Sequence, residues 1–274
     1  MKLADGRAPE RVGIAGLGAI GNSLATILDK GILGLELAAI AVRNPAKHTA
    51  FLSGLVQTPQ CVPIERLAEL CDIVVECAPA ALLPAIATPV LRAGKKLVVL
   101  SSGALLANPD LIKLAEKHGG QILVPTGALL GLDAVTAAAE GTIHSVRMVT
   151  RKPVKGLLGA PYLEAHGIAI DDIKEPTRIF NGTAREAAVG FPANLNVAVA
   201  LSLAGIGPDR TQLEIWADPA LTRNTHTIHV DADSASFTMS IENIPSENPK
   251  TGRITALSVA ALLKKMQSPL RIGS

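Results

Sequence analysis

Aromatic side chains are nearly missing from this chain: they make up 2% of its 274 residues, with one tryptophan, Trp216, and one tyrosine, Tyr162. Platforms that stack single-stranded nucleic acid need exposed rings, so that class of partner is excluded. The core must then be filled by Ala, Leu, Ile and Val, as suits helices packed on a parallel sheet. An excess of either charge is missing too. With 26 basic and 24 acidic residues the formal net charge is +2, which gives no field to draw in nucleic acid or a membrane surface. Long apolar runs are absent. The richest, Ala80 to Leu91, is short and broken by Pro84 and Pro89, so no bilayer span is expected. The start, Met1-Lys-Leu-Ala-Asp-Gly-Arg7, has no uninterrupted apolar segment of the signal-peptide kind. The three cysteines, Cys61, Cys71 and Cys77, are odd in number and lack CxxC spacing, and read as small buried thiols in a reducing cytoplasm. No His, Cys and Asp cluster has metal-ligand spacing, so no metal site is expected.

What is present is concentrated first in Arg11-Val-Gly-Ile-Ala-Gly-Leu-Gly-Ala-Ile-Gly-Asn22. A short apolar run, Val12 to Ala15, leads straight into Gly16-x-Gly18-x-x-Gly21, and Ile20, Leu24, Ile27 and Leu28 then follow with helical spacing. Strand, tight turn and helix in that order form a dinucleotide-binding fingerprint, to which a purely structural βα turn is the alternative. Gly16 permits the turn, Gly18 lets a pyrophosphate approach bare backbone, and Gly21 lets the helix pack close. The N–H groups at the start of the helix, among Ala19, Ile20 and Gly21, face the phosphates. Lys30-Gly31 ends this helix, and Leu35 to Val42 is a second apolar strand. Where a carboxylate commonly receives a ribose 2′-hydroxyl, this strand ends in Arg43, 22 residues after Gly21. A guanidinium there suits a 2′-phosphate, so NADP(H) is favoured over NAD(H), and a solvated loop arginine is the alternative.

Strands at Ile73–Val75, Lys96–Leu100 and Gln121–Val124 alternate with helices at Ala80–Ala93 and Pro109–His118. Earlier helical segments fall near Pro45–Gly54 and Ile64–Leu70. The alternation predicts an α/β fold of Rossmann type, with a doubly wound parallel sheet. Glu76 and Cys77 are expected to line the carboxyl edge of that sheet, and Cys77 and Ala78 join the candidate cofactor contacts. No base stands near Cys77 in sequence, which disfavours a nucleophilic role. After Pro125-Thr-Gly-Ala128 the pattern changes to more polar alternation at Ser145–Thr150, Thr177–Phe180, Gln212–Ala217, Thr227–Asp231 and Ser236–Ile241. These fit half-buried strands of an open sheet in a second, α+β domain. Thr183-x-x-Glu186 predicts a capped helix, and Phe191-Pro192 the start of another running to Ala204. Residues 1–128 and 251–274 are assigned to the dinucleotide domain, with the last helix, Arg253–Met266, returning to it across the linker Pro245–Lys250, and residues 129–250 to a substrate and dimerisation domain.

A hydride-transfer enzyme needs from its protein one acid/base group and a few polar fixtures. His226 and His229, three apart, point to opposite faces of a strand. His226, at the strand mouth, is the better proton relay, against a histidine that only satisfies a loop hydrogen bond. Asn194 and Asn196 lie in an otherwise apolar helix, where one can look into a cleft or both can satisfy backbone.

Taken together, Gly16–Gly21, Val75-Glu-Cys-Ala78, Ser101-Ser-Gly-Ala104, Pro125-Thr-Gly-Ala128, Phe191-Pro-Ala-Asn-Leu-Asn-Val197, Asn224-Thr-His-Thr-Ile228 and Ile244-Pro-Ser-Glu-Asn-Pro-Lys-Thr251 resemble the L-aspartate dehydrogenase family in order and spacing. The resemblance implies that His226 is the active-site histidine and that Asn196 and Ala128, the latter through its backbone N–H, contact the nicotinamide cofactor. It also implies an open-faced mixed sheet carrying both the substrate site and a homodimer contact. The implied reaction takes L-aspartate, a small dicarboxylate, NAD(P)⁺ and water to oxaloacetate, ammonia and NAD(P)H by way of iminoaspartate, a compound that can feed NAD biosynthesis. The rival readings are a dehydrogenase of another small amino or hydroxy acid, and a dinucleotide-binding sensor without turnover.

Overall fold

The computed structural model describes residues 6–192, 195–246 and 252–273. The chain forms two units, Met1–Pro125 with Ala256–Ile272, and Thr126–Thr255.

In the first unit six strands, β1 (Glu10–Ala15), β2 (Leu35–Ala41), β3 (Gln60–Cys61), β4 (Ile73–Glu76), β5 (Lys96–Val99) and β6 (Gln121–Leu123), pair in parallel in the order β3-β2-β1-β4-β5-β6. This is the doubly wound order, whose direction of winding reverses between β1 and β4. The helices are α1 (Ala19–Asp29), α2 (Thr49–Ser53), α3 (Leu67–Leu70), α4 (Leu83–Arg92), α5 (Ser102–Ala107) and α6 (Asp110–His118). Because side chains alternate along a strand, each central strand must be apolar on both sides. Val12, Ile14, Ile73 and Val75 pack with Leu24 and Leu28 of α1 on one face, joined by Val259, Ala260 and Leu263 from the carboxyl-terminal segment. Ala15, Val74, Leu97 and Val99 pack with Ile86, Val90 and Leu91 of α4 on the other.

The second unit holds β7 (Ile143–Lys152), β8 (Thr177–Thr183), β9 (Thr211–Ala217), β10 (Asn224–Ala232) and β11 (Ser236–Asn243), in the order β11-β10-β7-β9-β8. The sheet is mixed: β7 and β9 are parallel and the other neighbours antiparallel. One face is closed by α7 (Leu132–Ala139), α8 (Pro161–Ala165), α9 (Ala184–Gly190) and α10 (Asn196–Ala204), whose Val135, Leu163, Ala187, Ala198 and Leu201 share a core with Met148, Leu213, Ile215 and Ile228. The last helix of the chain is α11 (Ile254–Gln267).

Two local readings need correction, and one short strand went unread. A helix does not start at Phe191: α9, capped by the predicted Thr183–Glu186 box, ends there, and α10 begins only at Asn196. Proline disfavours a helical residue before it, and Phe191 accordingly takes φ −134° and ψ 53°. Ala193 and Asn194 lie outside the described residues, as do residues 247–251, which include the end of the expected linker. The two-residue strand β3 is too short for any periodicity and pairs with Ala39 and Ile40. Only Cys71 is a fully buried thiol; Cys61 is exposed and Cys77 half-buried.

Candidate active site

The carboxyl ends of β1, β2 and β4 emerge at one level, because Ala15 lies beside both Ala41 and Glu76. Three connections leave this edge, and they carry most of the first unit's candidate residues. Gly16 turns the chain with φ +104°, and a Cβ there would stand 2.6 Å from the carbonyl oxygen of Cys77. Gly21, in the first turn of α1, faces that turn so closely that a Cβ would come within 2.0 Å of the Gly16 oxygen. Gly18 is different. It is exposed, and no atom lies within 4 Å of where its Cβ would be. The loop thus has two glycines required by packing and one that leaves space beside bare backbone.

The start of α1, with Ala19 and Ile20, has no side-chain cap and no acidic residue in its first turn. Its initial N–H groups therefore present a positive helix end to an anion. Arg43, two residues beyond β2 at the same edge, is exposed and makes no ion pair with a described residue. A pyrophosphate-bearing dinucleotide fits these residues, since the open space, the uncapped donors and the cation all lie on one sheet edge.

Glu76 does not line the edge as expected. Its side chain turns inward, fully buried, and accepts hydrogen bonds from Leu100 N–H (3.1 Å), Ser101 N–H (2.9 Å) and Ser101 Oγ (3.1 Å). Burial pushes its carboxyl pKa up, and these bonds oppose the rise. The residue thereby ties the end of β4 to the turn after β5. Cys77 donates its N–H to Ala15 O at 2.8 Å. Burial first, and Glu76 second, push its thiol pKa up, so it stays protonated at neutral pH. Ala78 follows at the same turn, its Cα 3.1 Å from a Cβ built on Gly16.

In the second unit the chemistry collects on the covered face of the mixed sheet. His226 is the third residue of β10, inside the strand rather than at its mouth, and is 2% exposed. It sits opposite Thr150 of β7, and Thr150 Oγ1 lies 3.1 Å from His226 Nδ1, which fixes the ring and leaves Nε2 as the other reactive nitrogen. Burial, reinforced by the charge of Lys152, lowers the imidazole pKa from 6.5 to about 3. His226 is therefore neutral at physiological pH. His229 lies on the opposite face, exposed, with Nδ1 3.0 Å from Thr238 Oγ1.

Lys152, which sequence reasoning passed over, ends β7 on the same side as Thr150 and is 3% exposed. Burial lowers its pKa to about 8. Asn243, buried at the end of β11, donates its amide to Ala128 O at 2.8 Å and so holds the loop that carries Ala128. Asn196 is exposed at the first position of α10. Among the described residues no three His, Cys, Asp or Glu side chains gather as metal ligands, and no helix is long and apolar enough to cross a membrane.

The depressed His226 pKa also bears on stability. A folded pKa below the unfolded value means that the unfolded chain binds the proton first as pH falls, so stability is lost progressively between about 6.5 and about 3. Thermal melting of the wild type should therefore decline more steeply from pH 7 to pH 4 than that of His226→Gln. Parallel slopes would contradict the buried neutral imidazole.

Two family models match the chain in tandem: "Homoserine dehydrogenase, NAD binding domain" over residues 16–125, and "Aspartate dehydrogenase, C-terminal" over residues 133–266. The L-aspartate dehydrogenase of Bradyrhizobium diazoefficiens is 64% identical over 264 residues, spanning 96% of this chain and 94% of its own. L-aspartate dehydrogenase 3 of Bordetella bronchiseptica is 60% identical, with 96% and 97% covered. The crystal structure of the aspartate dehydrogenase of Thermotoga maritima shares the fold, with a TM-score of 0.72 at 23% identity over 96% of this chain and 99% of that one. The first unit is a nicotinamide-dinucleotide-binding domain, and the chain as a whole belongs to the L-aspartate dehydrogenase family.

Proposed function

We propose that the chain oxidises L-aspartate reversibly to oxaloacetate and ammonia by way of iminoaspartate, with His226 as acid and base. The observation that carries this reading is a buried imidazole pinned by Thr150, in a chain whose relatives named L-aspartate dehydrogenase match it nearly end to end. When bound, the nicotinamide ring supplies the hydride acceptor for the substrate Cα. His226 takes a proton as the amine becomes an imine or as water adds to the imine carbon, and returns one to the departing ammonia. A base that is uncharged before the reaction needs no prior deprotonation, and its burial excludes bulk water from the proton's path.

Gly16, Gly18, Ala19, Ile20 and Gly21 are the proposed holders of the pyrophosphate, with Cys77 and Ala78 flanking them and Ala128 N–H and Asn196 reserved for the nicotinamide end. Arg43 is the proposed reader of a 2′-phosphate, which favours NADP(H) over NAD(H). Its exposure and its lack of an ion pair with any described residue support that role. Removing a guanidinium–phosphate contact costs about tenfold or more in affinity. Arg43→Ala should therefore weaken NADPH binding by about that factor while NADH changes little. An equal loss for both would remove the 2′-phosphate reading.

We also propose that a second copy of the chain covers the outer face of the mixed sheet. There Trp216 lies under Arg151 at 4.9 Å and donates to Glu214 at 2.9 Å, and Arg147 meets the same carboxylate at 2.6 Å. Tryptophan and arginine together are common at protein interfaces. Three cysteines without a disulfide support a reducing, cytoplasmic setting. The function is tested by following NAD(P)H formation across a panel of amino and hydroxy acids. Reduction that depends on L-aspartate is the expected result; turnover of another substrate alone, or tight cofactor binding with no turnover, would overturn the proposal.

A further inference from the structure

We propose that Lys152 is the cation that receives a carboxylate of the substrate beside His226. This deepens, and rests on, the reading of the chain as an aspartate oxidoreductase. Lys152 is the only lysine or arginine buried among the described residues. Burying an ammonium costs several kcal/mol, a cost that an apolar residue at the same position would avoid.

The surrounding sheet shows where that charge is placed. On the covered face β7 presents Val146, Met148, Thr150 and Lys152 in succession, β10 presents Val230, Ile228, His226 and Asn224, and β11 presents Phe237, Met239, Ile241 and Asn243. The register pairs Val146 with Val230, Met148 with Ile228 and Thr150 with His226, so β7 and β10 change from apolar to polar at one level, and β11 follows one step later. On the other side Lys152 pairs with Ala217, whose side chain carries no polar atom. A cavity of about 600 Å³, a size within the usual range for small-molecule sites, opens at this end of the sheet; Lys152 and His226 do not line it, but Pro153, next to Lys152 in the chain, and Asn224, two residues before His226, do.

The charges sort accordingly. His226 from β10 is neutral and cannot balance a carboxylate. Asp218, just beyond β9, turns its carboxylate to Arg151 at 3.8 Å and to Ala220 N–H at 3.0 Å. Arg223, at the cavity, is 3.5 Å from Glu242, and Lys155 and Asp171 complete the charged groups of the lining. A dicarboxylate brought to His226 thus meets one buried ammonium. Its attraction is strengthened by the low dielectric around it.

The test uses the full chain, with oxidised cofactor for turnover of L-aspartate and reduced cofactor for the binding measurements. For Lys152→Met the KM for L-aspartate should rise about 100-fold, the size expected when one partner of a buried charged contact is truncated, while the affinity for reduced cofactor stays within about twofold. Succinate, a dicarboxylate without an amine, supplies a readout that a packing role would not move. A bound carboxylate favours the ammonium, so wild-type succinate affinity, measured by calorimetry, should be full below pH 8 and fall about tenfold per pH unit above it. In Lys152→Arg this slope should vanish, because a guanidinium does not deprotonate in that range. Unchanged aspartate KM in a folded Lys152→Met, or a wild-type succinate affinity flat from pH 7 to pH 10, would overturn the proposal. Should Lys152→Met not fold, the wild-type and Lys152→Arg profiles decide alone. Failure of the wild type to oxidise aspartate would instead sink the assigned reaction, and succinate binding would still judge Lys152.

Discussion

His226→Ala should turn over L-aspartate about 1,000-fold more slowly than the wild type, within the range that a positioned general acid/base contributes. The cofactor should bind as before, since the glycine loop and Arg43 belong to the first unit and His226 to the second. His226→Ala also leaves Thr150 Oγ1 without its partner at 3.1 Å, so a modest loss of stability accompanies the loss of turnover. The two effects separate cleanly, because a variant that has lost only stability regains its rate when assayed well below its melting temperature. Wild-type turnover in the folded variant would remove His226 from the chemistry. Unaltered KM with depressed kcat would place its action in the transition state.

Gly21→Ala should abolish dinucleotide binding. The added Cβ would meet the Gly16 oxygen at 2.0 Å, a contact that forces either α1 or the Gly16 turn to move. Overpacking of this kind costs about 1–3 kcal/mol even where side chains can give way, and here the neighbour is backbone. Gly18→Ala is the matching control. Nothing in the protein lies within 4 Å of that Cβ, so folding should be unaffected, and any loss of affinity reports a ligand in the open space. Thermal melting and NADH fluorescence titration on the two variants check this. If Gly21→Ala binds as the wild type does, or if Gly18→Ala melts earlier, the division of labour among the glycines is wrong.

How far the sequence could be read depended on the range of the interaction involved. The turn at Gly16 and the tight contact at Gly21 are set by atoms within a few residues, so GxGxxG between a strand and a helix could be recognised directly. The parallel sheet showed because its central strands are apolar on both faces, and the second sheet because one of its faces is not. Glu76 misled, because a carboxylate at a strand end normally seeks water, and only the turn after β5, 24 residues further on, supplies the donors that let it turn inward.

Lys152 was hidden for a similar reason. Arg147, Arg151 and Lys152 look like the solvated side of a strand, followed by Pro153. Parity was the available signal: Lys152 shares its face with Val146, Met148 and Thr150, whereas Arg147 and Arg151 belong to the other. Parity put His226 and His229 on opposite faces, the choice of His226 rested on an expected place at the strand mouth, and its depth could not be read. That depends on α7 to α10 covering one face of the sheet, a long-range outcome of packing.

In the proposed reaction the hydrogen on the aspartate Cα moves directly to the cofactor while His226 handles only protons. The most direct measurement uses L-aspartate deuterated at Cα with wild-type enzyme and oxidised cofactor. The deuterium should appear at C4 of the reduced nicotinamide, one equivalent per oxaloacetate formed. Deuterium released to water, or oxaloacetate formed without label in the cofactor, would contradict it.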